Sequence, residues 1–309
     1  MSLKQSARKA AERTLTRQSR LVKKALLALG KDRSPVLPEI VQIEATNICN
    51  AKCVFCPRDE MDRAQGIMPM ELFRKVADEC AALGITHVRM HNYGEAFVDR
   101  QLVEKIRYAK QVGIKEVGLI SNGSLITEDV ARGMIEAGLD AINISLDAAG
   151  KEVFETTRVG LKYDKVMAAI ERILRIRAEL GRTRPKLILS FVRQDNSAEE
   201  QAFIERWRAR ADKVHVTDLH NWAGTLHTQS SVNFPCYRQG LTFTVLWDGR
   251  VSLCCADFDG REVLGDLRTS TIAEIWNNER YRAVRRAQLE HGQRVALVEA
   301  LGERAVVAA

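Results

Sequence analysis

The 309-residue chain contains nothing approaching the roughly 18 uncharged apolar residues that a membrane span needs. Its longest apolar stretch near the N-terminus, Ala25–Leu29, is shorter than the ~7–15 residues of a signal-peptide core, so a cytoplasmic location is expected. Aromatic residues make up only 6% of the chain, and none occurs before Phe55. Stable nucleic-acid binding through base stacking is therefore not expected. Internal repeats and low-complexity tracts are absent. The seven cysteines are odd in number and tightly spaced, which argues against a disulfide framework and towards metal or redox chemistry. No cysteine follows Cys255.

Charge is unevenly spread. Residues 1–33 hold ten Lys/Arg against Glu12 and Asp32, a net +8 in a chain whose total is +7. The basic character thus belongs to an N-terminal extension, residues 1–36, which is expected to be helical. It could make weak contact with an anionic surface, although a solvated basic helix that aids solubility is the preferred reading.

From residue 37 onward, short β-rich runs alternate with amphipathic helical runs. Strands are predicted at Glu39–Thr46, His87–Tyr93, Glu116–Ser121, Ala141–Leu146, Lys186–Arg193 and Lys213–Asp218, and their Val/Ile/Leu content suits strands covered on both faces. Helices are predicted at Glu71–Leu83, Arg100–Val112, Glu128–Ala137, Asp164–Leu180 and Ala198–Ala211, four of them followed by glycine. Six such units imply an α/β fold with a parallel sheet, a partial (β/α)6 TIM-like barrel. After about residue 228 the pattern changes. Thr242–Trp247 and Arg250–Cys254 flank Asp248-Gly249 as a hairpin, and a helical stretch is predicted from Ser270 to Leu289. The domain division is therefore 1–36, 37–228 and a small α+β module at 229–309.

The run Cys49-Asn-Ala-Lys-Cys53-Val-Phe-Cys56-Pro57 directly follows the first strand. Three thiolates so spaced can hold one 4Fe-4S cubane and leave an iron open to another ligand. A structural zinc site would need a fourth ligand, for which Cys80, His87 and His91 are the nearest later candidates. Three buried cysteines without metal is the remaining alternative. Cys80, among the apolar residues of its own helix, reads as a small buried hydrophobe.

This motif, with Phe55 before its last cysteine, resembles the radical S-adenosylmethionine (SAM) superfamily. The resemblance implies reductive cleavage of SAM at a 4Fe-4S cluster to a 5′-deoxyadenosyl radical that abstracts hydrogen from a substrate. Tyr93-Gly94-Glu95-Ala96 resembles the family's Gly-Gly-Glu-Pro element, retaining only Gly94 and Glu95, and implies a contact to the SAM amino group. Ser121-Asn122-Gly123 and Ser145-Leu146-Asp147 end the next two strands, where parallel α/β proteins place their sites. Arg158 matches a position that holds the SAM carboxylate in related proteins, though a surface arginine is an equally good reading of it.

Pro235-Cys236-Tyr237, Trp247-Asp248-Gly249 and Cys254-Cys255-Ala256-Asp257 resemble the SPASM or twitch extension of the same superfamily. That extension closes its auxiliary 4Fe-4S cluster with a later Cys-x2-Cys pair, where this chain has Val298 and Leu301. A fully cysteine-ligated auxiliary cluster is therefore not expected from Cys236, Cys254 and Cys255. Asp257, Asp259 or His291 could supply a substitute ligand; otherwise Cys254 and Cys255 are available to donate a hydrogen atom. His215, His220, His227 and Trp222 fall around the last core strand, and His220 and Trp222 could line a substrate pocket. The expected function is oxidation or epimerisation of a small polar molecule such as a sugar or aminocyclitol. The electron would come from a reductase such as flavodoxin or ferredoxin. Maturation of a ribosomal peptide and a noncatalytic iron–sulfur protein are the alternatives.

Overall fold

In the computed structural model, residues 37–193, 197–219, 222 and 238–286 are described. The strands are β1 (Ile40–Ile43), β2 (Lys52–Cys53), β3 (His87–Arg89), β4 (Glu116–Ser121), β5 (Ala141–Ser145), β6 (Arg158–Val159), β7 (Lys186–Val192), β8 (Lys213–Thr217), β9 (Thr242–Val245), β10 (Arg250–Ser252) and β11 (Val263–Asp266). The helices are α1 (Met70–Ala82), α2 (Leu102–Gln111), α3 (Glu128–Glu136), α4 (Lys151–Thr157), α5 (Tyr163–Glu179), α6 (Ser197–Trp207) and α7 (Ile272–Asn277). One nine-stranded sheet runs in the order β11-β10-β9-β1-β3-β4-β5-β7-β8, and β2 and β6 form a small separate pair. From β9 to β8 every pairing is parallel. This is the mixed α/β, partial-barrel architecture expected.

Apolar periodicity fixes each layer. Helix α5 buries Val166, Ala169, Ile170, Ile173 and Ile176 against the sheet, the three-and-four spacing of one helical face. Helix α3 begins where the Thr127 hydroxyl accepts a hydrogen bond from the Val130 amide at 3.3 Å.

The strands depart from the expectation of two covered faces. Along β5 and β7 one row, including Ile142, Ile144, Leu187 and Leu189, is fully buried beneath the helices, while the alternate row is half-buried. That second row faces the open lumen of the partial barrel, and it carries Asn143, Ser145 and Ser190 among its apolar members.

Beyond β8 the hairpin about Asp248-Gly249 forms as expected, with β9 and β10 antiparallel. Its first strand pairs in parallel with β1 over Ile40–Ile43 and so extends the core sheet. The expected boundary at 228/229 lies outside the described residues, as do residues 1–36. The helix predicted over Ser270–Leu289 is divided. Helix α7 starts at a capping box in which Thr271 and Glu274 bond each other's backbone amides. It stops at Asn278, whose side chain accepts the Tyr281 amide at 2.7 Å and caps a second helical run over 279–286. Helix α4 and the β2–β6 pair have no counterpart among the predicted elements.

Candidate active site

The cysteine motif lies in a loop that starts at the carboxyl end of β1 and is closed at its base by its own side chains. The Thr46 hydroxyl donates to the Gly66 carbonyl at 2.7 Å, and the Asn47 amide group donates to the Ala64 carbonyl (2.9 Å) and accepts from the Gly66 amide (2.8 Å). Within the loop, Lys52 and Cys53 pair antiparallel with Val159 and Arg158, and the Cys56 amide donates to the Cys53 carbonyl at 3.0 Å. Arg63, near the far end, makes a bidentate, fully desolvated pair with Glu44 at the end of β1.

Gly94 sits directly over this loop. Its φ is +85°, and a Cβ there would lie 2.5 Å from the Thr46 carbonyl oxygen, so any side chain would force the strand ends apart. The close approach lets the Glu95 amide donate to the Ile48 carbonyl at 2.9 Å, one residue before Cys49. The Glu95 carboxylate is buried and accepts from the Ser121 hydroxyl (2.7 Å), the Asn122 amide (2.6 Å) and the Phe97 amide (3.2 Å). Burial raises its pKa, against the lowering effect of these hydrogen bonds. The Asn122 side chain reaches back to Asn50 at 2.9 Å, between Cys49 and Cys53.

Arg158 is buried, not a surface residue. It is ion-paired with Asp147, lies 5.7 Å over the Phe55 ring, and points one nitrogen at the Cys53 sulfur, 3.5 Å away. Asp147 is wholly buried at φ +58° and also accepts the Val192 amide at 2.8 Å. Neither Phe55 nor Asp147 lines the cavity; both contact Arg158, which does.

A cavity of about 330 Å³ unites these groups. Cys49, Cys53 and Cys56 line it together with Arg58, Glu95 and Arg158. Gly94, Ser121, Asn122 and Ser145 contribute to its wall. Burial pushes all three thiols up, Cys56 to about 11, against the lowering effect of the nearby guanidiniums. Gln42, His91, Asn92, Trp222, Arg238 and Cys255 line the same cavity. Of these, the sequence singled out only Trp222 and Cys255 for such a role. His91, three residues from Gly94, entered only as a zinc candidate. Arg238 and Gln42 carry no local signal.

The two adjacent hairpin cysteines diverge. Cys255 faces the cavity, with its sulfur 3.9 Å from Arg238 and its carbonyl accepting the Tyr93 hydroxyl at 2.6 Å. Cys254 packs against the hydrophobic core and accepts the Ala256 amide at 3.4 Å. Asp257 and Asp259, the expected substitute ligands, are committed elsewhere. Asp257 accepts from Ser252, Arg261 and Glu262, and Asp259 from the amides of Asp62 and Arg63. Cys236, His220, His227, His291, Val298 and Leu301 lie outside the described residues. Cys80 is fully buried, its thiol pushed up to about 12 by desolvation.

Residues 43–179 match the family model of the radical SAM superfamily, and residues 236–296 match that of an iron–sulfur cluster-binding domain, SPASM. The chain belongs to the radical SAM superfamily. It is a radical SAM enzyme with a SPASM-type C-terminal domain, and its family's cofactors are a 4Fe-4S cluster and SAM. A "Probable GTP 3′,8-cyclase" of Saccharolobus islandicus is 31% identical over 183 residues, 59% of this chain and 57% of the relative. Its counterpart from Sulfurisphaera tokodaii is 29% identical over 182 residues, 59% of this chain and 56% of that protein. The matched stretch is thus little more than half of these curated relatives. In fold, the chain is similar to BtrN in complex with AdoMet and 2-DOIA (TM-score 0.60, 18% identity, 87% of this chain and 92% of that one). It is also similar to Streptococcus suis SuiB bound to the precursor peptide SuiA (TM-score 0.68, 11% identity, 84% and 71%).

The donor set fits these cofactors. Cys49, Cys53 and Cys56 bring three thiols to one cavity, the donors that an iron–sulfur cluster takes. Buried nitrogens of Arg58 and Arg158, the Nε of each, have no hydrogen-bond partner there. They suit a bound anion or a carboxylate. Among the described residues, no helix is long and apolar enough to cross a membrane.

Proposed function

We propose that the chain is an epimerase of small polar molecules, in which Cys49, Cys53 and Cys56 hold the cluster and Cys255 returns a hydrogen atom to the substrate. The observation that carries this reading is that Cys255 lines the same cavity as the three cysteines. Bound together, cluster and SAM supply one-electron cleavage of the sulfonium, which yields a carbon radical able to abstract hydrogen. The protein's own groups do the rest. Glu95 accepts from the SAM ammonium, Arg158 binds its carboxylate, and Ser121, Asn122 and Ser145 border the remainder. Asp147 and Phe55 keep Arg158 in place from behind. Tyr93 fixes the Cys255 backbone.

At Cys255 an S–H bond breaks and a substrate C–H bond forms on the face opposite to the abstraction. The resulting thiyl takes one electron from a low-potential donor such as flavodoxin or ferredoxin and one proton from solvent, which restores the thiol. Arg238 and Cys255, from the C-terminal part, thereby contribute to the wall of the cavity that the core builds. A second reading, rearrangement of a purine nucleotide as in the name of the curated relatives, draws on the 31% identity to them.

The test is anaerobic turnover in D2O with sugars, aminocyclitols and GTP. Wild type should release an inverted product carrying one deuterium. Cys255→Ala should still cleave SAM to 5′-deoxyadenosine but incorporate no deuterium, with Cys80→Ala as the control that behaves as wild type. Accumulation of a carbonyl product by the wild type would favour dehydrogenation, and a cyclised nucleotide would favour the second reading.

A further inference from the structure

The cysteine loop has an outer face as well as an inner one. Ala51, Cys53 and Cys56 line the cavity, while Lys52 and Val54 between them are exposed, the two-residue period of an extended chain. The ladder with β6 fixes what stands beside them. Lys52 pairs with Val159 and Cys53 with Arg158, and the Val54 amide donates to the Thr157 carbonyl at 3.0 Å. Laterally paired residues share a face of a sheet. Cys53 and Arg158 therefore look inward, where an Arg158 nitrogen lies 3.5 Å from the Cys53 sulfur. Lys52, Val54 and Val159 look outward together. One thickness of backbone separates this outer face from the Cys53 thiol.

The outer face is unusual in what it exposes. Only four large apolar side chains are exposed among the described residues: Val54 (65%), Val159 (45%), Leu219 and Ile67. A single exposed apolar residue needs no explanation. Val54 and Val159 are not single. They are diagonal neighbours on one two-stranded ribbon, and that ribbon is the wall behind a cysteine of the motif.

The ribbon also carries charge of one sign. Residues 49–58 and 156–163 hold Lys52, Arg58, Arg158 and Lys162 and no Asp or Glu. Arg58 and Arg158 line the cavity, which leaves Lys52 and Lys162 as the exposed cations. The carboxylates nearest in sequence flank the ribbon rather than stand on it. Glu155 meets Lys162 at 3.3 Å, and Asp59 and Glu60 belong to the short turn Pro57–Glu60.

We propose that Lys52, Val54 and Val159 form the docking surface for a flavodoxin-type electron donor, a small acidic protein that presents the apolar edge of its flavin. The two valines meet that edge, and Lys52 meets the carboxylates around it. Contacts between redox partners are small and transient, so a patch of this size suits the task. Charge complementarity of this kind speeds the encounter more than it tightens the complex. One electron leaves the reduced flavin and enters through the main chain between Val54 and Cys53. It is consumed at the SAM sulfonium, whose S–C5′ bond breaks to leave methionine and the 5′-deoxyadenosyl radical. The inference rests on the radical SAM reading of the cavity and adds to it the side from which the electron enters.

The experiment uses reconstituted, SAM-loaded protein. Binding of oxidised flavodoxin is followed by surface plasmon resonance, and 5′-deoxyadenosine formation is measured with reduced flavodoxin and, separately, with dithionite. Val54→Asp combined with Val159→Glu should weaken flavodoxin binding at least about tenfold, and Val54→Ser alone should weaken it less. Lys52→Glu should weaken it too, and should flatten its salt dependence between ~0.01 and ~0.15 M, over which the Debye length falls from ~30 to ~8 Å. Flavodoxin-driven cleavage should fall in step with binding. Dithionite needs no docking surface, and side-chain changes on the outer face leave the backbone ladder in place, so dithionite-driven cleavage should stay at the wild-type rate. Flavodoxin binding that none of the variants alters overturns the proposal. So does an equal loss with dithionite, which would make these residues part of the frame. No 5′-deoxyadenosine from the wild type with either reductant would strike the radical SAM reading itself. Normal cleavage with dithionite, with flavodoxin indifferent to the variants, would strike the docking surface alone.

Discussion

The frame around the cysteine loop and the lumen side of the sheet are built on opposite principles. Around the cysteine loop the protein binds itself: Glu95 to Ser121 and Asn122, Asn122 to Asn50, Arg158 to Asp147, and β2 to β6. On the lumen side it leaves His91 Nδ1, Asn143 Oδ1 and Thr244 Oγ1 buried with no hydrogen-bond partner within the protein, and of these residues His91 lines the cavity. The contrast teaches where the frame gets its precision. A cofactor common to a whole superfamily is met by a cross-braced frame that costs nothing to organise at the moment of binding. On the lumen side the polar side chains are not braced against one another in this way.

If the frame around the cysteine loop is interdependent, its largest break is Cys53→Ala. Wild type should take up about four irons per chain, and Cys53→Ala should lose SAM cleavage altogether. Robust 5′-deoxyadenosine formation by the variant would refute the assignment. About eight irons in the wild type would show that the C-terminal part holds an auxiliary cluster as well.

Asp147→Ala tests the brace rather than the ligand. It leaves the buried Arg158 guanidinium without its counter-ion, which costs about 3–5 kcal/mol. Denaturant unfolding of the cofactor-free protein should register a loss of that size. Asp147→Asn, which tolerates φ +58° and can still accept the Val192 amide, should lose less. An unchanged midpoint for Asp147→Ala would mean that the pair adds nothing.

Glu95→Ala removes a charged hydrogen bond worth about 1.5–3 kcal/mol. SAM affinity by calorimetry should therefore fall roughly 10- to 150-fold, with iron content intact. Because Glu95 also ties β4 to the cysteine loop, a fall in iron content would show that its structural part dominates.

The smallest effect belongs to the lumen side. The His91 pKa is lowered by burial, Arg89 and Arg238 to about 3 from 6.5. The unfolded chain then takes up a proton near pH 6.5 that the folded protein refuses. Stability is complete above that pH and falls as the pH drops below it, by at most about 1.4 kcal/mol per pH unit. His91→Gln should flatten the slope of unfolding free energy between pH 6.5 and 5. An unaltered slope would mean that the imidazole is solvated.

Much of the frame could be read from the chain. Strand β4 falls at its expected residues, and the other core strands differ only at their ends, because Val/Ile/Leu runs and the glycines after helices act locally. The cysteine spacing and Gly94-Glu95 are equally local signals. What escaped is long-range. The pairing of Lys52 and Cys53 with Val159 and Arg158 joins segments about a hundred residues apart with no local pattern to announce it. It turns Arg158 from an ambiguous surface arginine into a buried member of the site. His91 escaped for a different reason. A histidine near a strand end looks alike whether its ring nitrogen is solvated or sealed in a cavity.

The parallel pairing of β9 with β1 has a practical consequence for anyone wishing to isolate the catalytic half. Cutting the chain after the core would strip β1 of a neighbour and expose a row of unpaired amides and carbonyls beside Val41 and Ile43, a template for intermolecular strand addition. It would also take from Arg63 the Phe258 carbonyl at 2.7 Å, and from Glu44 the Trp247 amide at 3.2 Å. The limits of the two family matches therefore do not mark where this protein can be divided. A truncated product should aggregate rather than report on catalysis.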